Sequence, residues 1–273
     1  MGNAWTQAAA LESVVQGLGE MAVAVSGGVD SLTLATFAHR LAPRRVQVFH
    51  AVSPAVQDEG TARTREHAQR EGWTLHVIDA REFESADYLR NPVNRCYFCK
   101  TSLYGAIRPH TSAQIVSGTN LDDLGEYRPG LIAAKEHGVR HPFVEAAMTK
   151  QHVRALAREL GLGNVAELPS SPCLSSRVET GIAIQPEVLR NIHAVEALVE
   201  QSLSPRTVRC RVRNAGIVVE LDDATLATLD DVRRDALMER VRATFAITHP
   251  QAPVRFEPYR TGSAFLHFKP LVR

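Results

Sequence analysis

Lysine is scarce in this chain of 273 residues: it stands only at positions 100, 135, 150 and 269, and arginine supplies the remaining basic side chains. The bias runs through the whole sequence, so an arginine at any one site carries little functional information by itself. Net charge is also nearly absent, at +1, which argues against non-specific capture of nucleic acid or an anionic membrane by a whole-molecule field. Any basic site has to be local. No apolar run approaches the length of a membrane span, and residues 1–20 lack a basic start followed by an apolar stretch, so a cytoplasmic protein is expected. Met1-Gly2-Asn3-Ala4-Trp5-Thr6 matches a myristoylation pattern in form, but no basic cluster or second lipid signal accompanies it. Cysteine is limited to four residues; without an export signal this argues against a disulfide framework and directs any clustered thiols towards metal or sulfur chemistry. Finally, no Gly-Lys-Ser/Thr sequence follows the glycine-rich turn described next, which excludes a Walker phosphate loop there.

That turn is Ser26-Gly27-Gly28-Val29-Asp30-Ser31, set between the apolar run Met21 to Val25 and a helical pattern from Leu32 to Leu41. Adjacent glycines let the backbone approach a ligand closely, and a helix that starts here presents unsatisfied N–H groups and a positive dipole end. Ser26 and Ser31 add hydroxyl donors, and Asp30 is placed where it could hold Mg²⁺ beside phosphates. A plain tight turn is the bland alternative.

Strand and helix then alternate. Leu11 to Leu18 reads as a short helix, Val46 to Val52 as a buried strand, Asp58 to Glu71 as a helix closed by Gly72, and Leu75 to Asp79 as a third strand. Ile115 to Asn120 is a fourth, and His141-Pro142-Phe143-Val144 is read as a short fifth before a helix that begins at Thr149 and stops at Gly161. The pattern predicts an α/β, doubly wound parallel sheet over residues 1–180, with ligands at the carboxyl ends of the strands. Past Gly181 the pattern becomes a smaller α+β domain, residues 181–273. It comprises an amphipathic helix from Pro186 to Gln201, a hairpin of Thr207 to Arg213 with Ile217 to Leu221, a helix from Asp230 to Ala246 and a strand from Val254 to Tyr259.

Cys96 and Cys99 share one turn, a spacing that lets both thiols reach one metal ion or cluster, and Cys173 lies in Ser170-Ser171-Pro172-Cys173-Leu174. Three thiolates suit a [4Fe-4S] cluster with one iron open; unligated cysteines and a zinc site completed by a fourth ligand are the alternatives. Cys210 alternates with Val208 and Val212 and reads as core. Asp122 and Asp123 could position Mg²⁺ or substrate and Arg128 could bind phosphate, or the stretch is a capped helix start and a solvated turn. Arg209, Arg211 and Arg213 fall on one face of a strand, which either invites an anion or is a solvated sheet face. Arg260-Thr261-Gly262-Ser263 offers a second phosphate cradle, and Glu196, taken alone, reads as an exposed acid.

Ser26 to Ser31 resembles the pyrophosphate loop of the PP-loop ATP pyrophosphatase superfamily. Taken together with Asn91 to Lys100, Ser117 to Leu131, Ser171 to Arg177, Arg211 to Arg213 and Tyr259 to Ser263, it resembles the LarE-type ATP-dependent sulfur transferases of nickel-pincer nucleotide biosynthesis. The resemblance implies that ATP adenylylates a carboxylate of a pyridinium dicarboxylate mononucleotide, which sulfur then converts to a thiocarboxylate. It implies ATP contacts from Ser26, Gly27, Gly28, Asp30, Ser31, Gly118, Asp122, Asp123 and Arg128. Cys173 matches the sulfur-donating cysteine, Glu196 falls near an active-site glutamate, and Arg211, Arg213 and Arg260 match substrate-phosphate arginines. Cys96, Cys99 and Cys173 are the implied cluster ligands, and a homo-oligomer is the implied assembly. Leu32 departs from the hydroxyl residue often found after the last loop serine, and Val178 to Gly181 departs from the usual apolar turn.

Two other functions share parts of this pattern. A transfer-RNA thiolase of the same superfamily would show a broad basic surface and steep salt dependence, which a charge of +1 does not suggest. A nucleotide-binding module without catalysis would bind ATP and release no pyrophosphate.

Overall fold

Alternating residues of Met21–Val25 (β1) divide the first core into two layers, as the period of two in a strand requires. Met21, Val23 and Val25 pack on one side with Leu11, Val15, Leu32, Val153 and Leu156. Ala22 and Ala24 pack on the other with Tyr104, Ile107, Ile115 and Ala134. A computed structural model describes residues 2–125 and 128–265. Its chain divides into two compact units, Met1–Ser85 with Asn94–Ser171, and Ala86–Val93 with Pro172–Arg273.

In the first unit, β1 lies between Val46–Val52 (β2) and Gln114–Ser117 (β4), and Thr74–Asp79 (β3) pairs outside β2. All pairings are parallel, as a strand buried on both faces by crossover helices demands. Helices Gly2–Gly17, Val29–Leu41 and Lys150–Glu159 contribute to the first layer, and Arg95–Ile107 and Pro129–Glu136 to the second. The order β3-β2-β1-β4 reverses between β1 and β4, so the crevice beyond their carboxyl ends is where this topology offers a ligand site. The expected fifth strand at His141 to Val144 is not one. Pro142 has no N–H to give a ladder and suits the first turn of a helix, so the segment forms the short helix Pro142–Glu145 with Phe143 in the core. All that remains of strand pairing there is one bridge between Val116 and Arg140. The first helix also begins well before the expected Leu11.

The second unit holds a three-stranded sheet. Val208–Arg213 (β5) and Gly216–Leu221 (β6) form the expected antiparallel hairpin, and Val254–Pro258 (β7) runs parallel to β6. Helix Pro186–Leu203 carries proline in its first turn, and Asp231–Phe245 is capped by Asp230, whose carboxylate accepts the Arg233 N–H at 2.8 Å. The excursion Ala86–Val93 is tied in by Asn91, fully buried with φ of 54°. Its side-chain amide donates to the carbonyls of Glu179 and Ile182, each at 2.9 Å, and more weakly to Val178. Among the described residues no helix is long and apolar enough to cross a membrane.

Several histidines are held below their ordinary pKa, burial being the largest cause for His50, His67, His141 and His249. His50 is the clearest: its Nδ1–H donates to the Val25 carbonyl at 2.9 Å, so Nε2 accepts from Thr61 Oγ1 at 2.9 Å. Below about pH 6.5 the unfolded chain binds protons that the folded protein refuses, so stability is full above that value and is lost progressively as pH falls from it towards and through the lower folded-state value. Urea midpoints should therefore be lower at about pH 5.5 than at about pH 7.5, and His50→Asn should narrow the difference. An unchanged pH dependence in that variant would remove His50 from the account.

Candidate nucleotide and sulfur sites

The loop after β1 is shaped by its own serines. Ser31 Oγ accepts the Ser26 N–H at 3.1 Å and donates to the Gly28 carbonyl at 3.1 Å, and the two serine hydroxyls lie 3.3 Å apart. Gly27 has φ of +80°, and a Cβ there would stand 2.3 Å from the Gly60 carbonyl oxygen. Arg63 reaches the same place from helix Asp58–Glu71 and donates to the Gly27 carbonyl at 2.6 Å. Gly28 is the N-cap of Val29–Leu41 and has no side chain to cap it, so first-turn N–H groups and the positive dipole end remain for an anion.

The loop after β4 closes on this one. At Gly118 a Cβ would lie 2.8 Å from the Asp30 carbonyl carbon and 2.9 Å from the Ser31 nitrogen. Only a residue without a side chain permits that approach, and it brings Asn120 within reach: its amide donates to Asp30 Oδ1 at 3.2 Å. Asp30 Oδ2 is ion-paired with Lys150 Nζ. Lys150 opens helix Lys150–Glu159, which Thr149 caps in a capping box with His152, and its backbone N–H donates to Asp122 Oδ2 at 2.9 Å. Asp123 accepts the Asn120 N–H at 3.1 Å and pairs with Arg128 at 2.9 Å. Ser26, Gly27, Gly28, Asp30, Ser31, Gly118, Asp122 and Asp123 thus form one cluster, joined by Arg128. The stretch Leu121–Gly125 is a 3-10 turn rather than the start of a regular helix, and Glu126 and Tyr127 lie outside the described residues. Sequence reading missed Lys150, Arg63 and the role of Asn120; the one available signal was a rare lysine directly after a helix-capping threonine.

Cys96 and Cys99 stand three residues apart on helix Arg95–Ile107, a spacing that puts both on one face, and both are half-buried. This turn packs on the start of Pro129–Glu136: a Cβ on Gly130 would lie 3.5 Å from the Cys96 carbonyl. Among the described residues no three His, Cys, Asp or Glu side chains are gathered into a metal-binding group.

In the second unit, Cys173 caps the 3-10 turn Leu174–Arg177 and is half-buried. Arg177, wholly buried, donates from Nη1 to the carbonyls of Pro172 and Cys173 at 2.5 and 3.2 Å. Its Nε and Nη2 donate to the two oxygens of Glu196 at 3.0 and 3.1 Å, and Glu196 also accepts the Cys210 N–H at 2.9 Å. Glu196 is therefore not the exposed acid its helix position suggested; it is 5% exposed because it neutralises a buried guanidinium and accepts an amide of the edge strand β5. Burial pushes the Cys210 thiol well up, consistent with its place in the core. The arginine face of β5 is not a solvated one either. Arg211 donates to Glu220 at 2.9 Å and to the Ser176 carbonyl, and Arg213 donates to Glu220 at 2.6 Å and Glu257 at 3.1 Å. Burial, helped by the Arg177 charge, holds Arg209 below its ordinary value. Ser263 donates to the same Glu220 at 2.6 Å, while Arg260 beside it is exposed and makes no ion pair among the described residues.

No family model matches the chain. An uncharacterized protein of Synechocystis is 36% identical over 208 residues, 74% of this chain and 77% of the relative. The pyridinium-3,5-bisthiocarboxylic acid mononucleotide synthase of Lactiplantibacillus plantarum is 30% identical over 227 residues, 81% of each chain. The chain belongs to the LarE family. An uncharacterized protein of Methanocaldococcus jannaschii, 27% identical over 205 residues, extends the resemblance further. In this LarE family member, the first unit brings together the residues expected to contact a nucleotide, and the second holds Cys173, Glu196 and the three arginines expected to meet a phosphate.

Gly118→Ala tests the close approach of the two loops. With nowhere for the new methyl to go except into the Asp30–Ser31 backbone, the variant should fold but bind ATP at least about tenfold more weakly, a loss on the scale of one charge-assisted contact. Calorimetric titration measures it, and unchanged affinity would show that the loops separate without cost.

Proposed function

We propose that this protein is an ATP-dependent sulfur transferase. In this reading it adenylylates a carboxylate of a pyridinium dicarboxylate mononucleotide, releases pyrophosphate and converts the adenylate to a thiocarboxylate with sulfur delivered at Cys173. The observation that carries the ATP half is the glycine loop at the β1/β4 crevice with Asp30 in the first turn of the following helix. Membership of the LarE family carries the sulfur half.

The chemistry follows from the groups available. A carboxylate is a poor electrophile because its oxygen leaves badly. Attack of that oxygen on the α-phosphorus of ATP expels pyrophosphate and leaves an acyl adenylate, whose AMP departs readily. The loop N–H groups and serine hydroxyls stabilise charge on the departing pyrophosphate, and Asp30 is the acid that would hold Mg²⁺, the Lewis acid of this step. The Cys173 thiolate then attacks the acyl carbon and expels AMP, forming a thioester. Loss of the Cys173 Cα proton breaks its Cβ–S bond, which releases the thiocarboxylate and leaves dehydroalanine; where sulfide is supplied instead, the sulfide attacks the acyl carbon, AMP leaves and the cysteine is spared. Arg177 fixes the Cys173 backbone through its carbonyl, and Glu196 fixes Arg177, so in this reading Glu196 keeps the cysteine in place. Arg211, Arg213 and Arg260 would receive the phosphate of the mononucleotide in the second unit, which is also read as the subunit-contact unit of a cytoplasmic homo-oligomer.

Thiolate donors suit iron and sulfide, and the paired thiols on one helical turn are spaced as two ligands of one group. The LarE resemblance implies that Cys96, Cys99 and Cys173 would be the ligands of a [4Fe-4S] cluster. When bound, it would supply exchangeable sulfide, so that Cys173 need not give up its own sulfur.

Anaerobically purified protein, given ATP and the dicarboxylate mononucleotide, should release pyrophosphate and add the mass of sulfur to the nucleotide. Asp30→Ala should abolish pyrophosphate release, a loss of at least about a hundredfold, while the fold survives; unchanged turnover would sink the assignment. Repeated turnover is expected of the reconstituted protein and should end when Cys96 or Cys99 is removed. One product per chain, with Cys173 lighter by the mass of hydrogen sulfide, would instead establish a sacrificial cysteine.

A further inference from the structure

The loop Ser26 to Ser31 binds an anion, in the reading above, without a single cationic side chain of its own. Its N–H groups and hydroxyls carry partial charges, and Asp30 adds a full negative one. A triphosphate arriving there meets a site whose acids, Asp30, Asp122 and Asp123, oppose it. Beyond a metal ion held by those acids, a full positive charge has to come from elsewhere in the fold, and among the described residues three cationic side chains are seen to reach this cluster. Arg128 is on Asp123 and exposed. Arg63 is on the Gly27 carbonyl, on the side where the loop packs against Gly60. Lys150 is on Asp30 itself, 120 residues away in sequence.

We propose that Lys150 is the phosphate-binding lysine of the nucleotide site, supplying in space the charge that the loop lacks in sequence; this rests on the ATP reading above. Three features suit it to the role. Its backbone is fixed, by the Thr149 capping box and by the Asp122 carboxylate on its N–H, so the stem of the side chain starts from a defined point. Its ammonium has three donors, of which Asp30 Oδ2 takes one. Its side chain is one-third exposed, and that of Asp30 about a quarter, so the pair sits at an accessible surface rather than locked in the core. Asp30 then holds the lysine in place until phosphate oxygens compete for it, and an Asp30 engaged by Mg²⁺ frees the ammonium for those oxygens. A lysine acts here as a compact charge on a flexible stem, which tolerates the change of partner better than the fixed fork of an arginine.

The alternative is that Lys150 only neutralises Asp30. Binding of inorganic pyrophosphate, measured by calorimetry in EDTA so that no metal contributes, separates the two. Lys150→Met should weaken pyrophosphate at least about tenfold and Lys150→Arg much less. If neutralising Asp30 were the whole role, Asp30→Asn would make the lysine dispensable, and adding Lys150→Met to Asp30→Asn would change nothing. We expect the double variant to bind at least about tenfold more weakly than Asp30→Asn alone, with both melting at the same temperature. The double variant carries no bare Asp30 charge, so it serves as the test even if Lys150→Met alone folds poorly. Equal affinity of the double variant and Asp30→Asn overturns the assignment of Lys150 and leaves the ATP reading standing. Failure of the unaltered protein to bind either pyrophosphate or ATP overturns the ATP reading, and the lysine assignment falls with it.

Discussion

The candidate nucleotide site depends on the backbone of Gly118 lying directly against that of Asp30 and Ser31. Two parallel strands that are neighbours in the sheet but far apart in sequence must deliver their loops to the same point, and the absence of one side chain lets them meet. From that contact the rest of the cluster follows. Asn120, two residues on, reaches the Asp30 carboxylate; Asp123 accepts the Asn120 N–H, and Asp122 accepts that of Lys150; Lys150 closes on Asp30 from the start of helix Lys150–Glu159. The acids that looked like free ligands in the sequence are thus largely engaged in holding the loop's own shape.

The second unit solves a different electrostatic problem. It buries Arg177 and Arg211 almost completely, which is tolerable only because each meets a buried carboxylate, Glu196 and Glu220 respectively. Removing one partner of such a pair costs about 3–5 kcal/mol, since the other is left charged and dry. Glu220 is shared: Arg211, Arg213 and Ser263 all direct donors at it. A phosphate entering beside these arginines, as proposed, would therefore meet guanidiniums already oriented by carboxylates, with their planes and spacing set in advance.

Much of this was legible in the sequence because local patterns carried it. The loop between a buried strand and a helix, the helix Asp58–Glu71 stopped at Gly72, the hairpin around Asn214-Ala215 and the core position of Cys210 all follow from spacing over a few residues. The failures share a cause as well. His141 to Val144 has the apolar content of a strand, but proline removes the donor that a ladder needs. Glu196 looks exposed on its helix until Arg177, nineteen residues earlier, is placed against it. The partnership of Lys150 with Asp30 spans 120 residues, and no periodicity reports a contact of that kind.

The excursion of residues 86–93 bears on how the protein can be taken apart. The chain leaves the first unit after Ser85, returns at Asn94 and leaves again after Ser171. A protease cutting once between Ser171 and Pro172 would therefore not release the second unit whole, because the piece beginning at Pro172 would lack Asn91 and leave the carbonyls of Glu179 and Ile182 without its amide. The two units are interleaved along the chain, so no single cut yields either of them with all of its own residues.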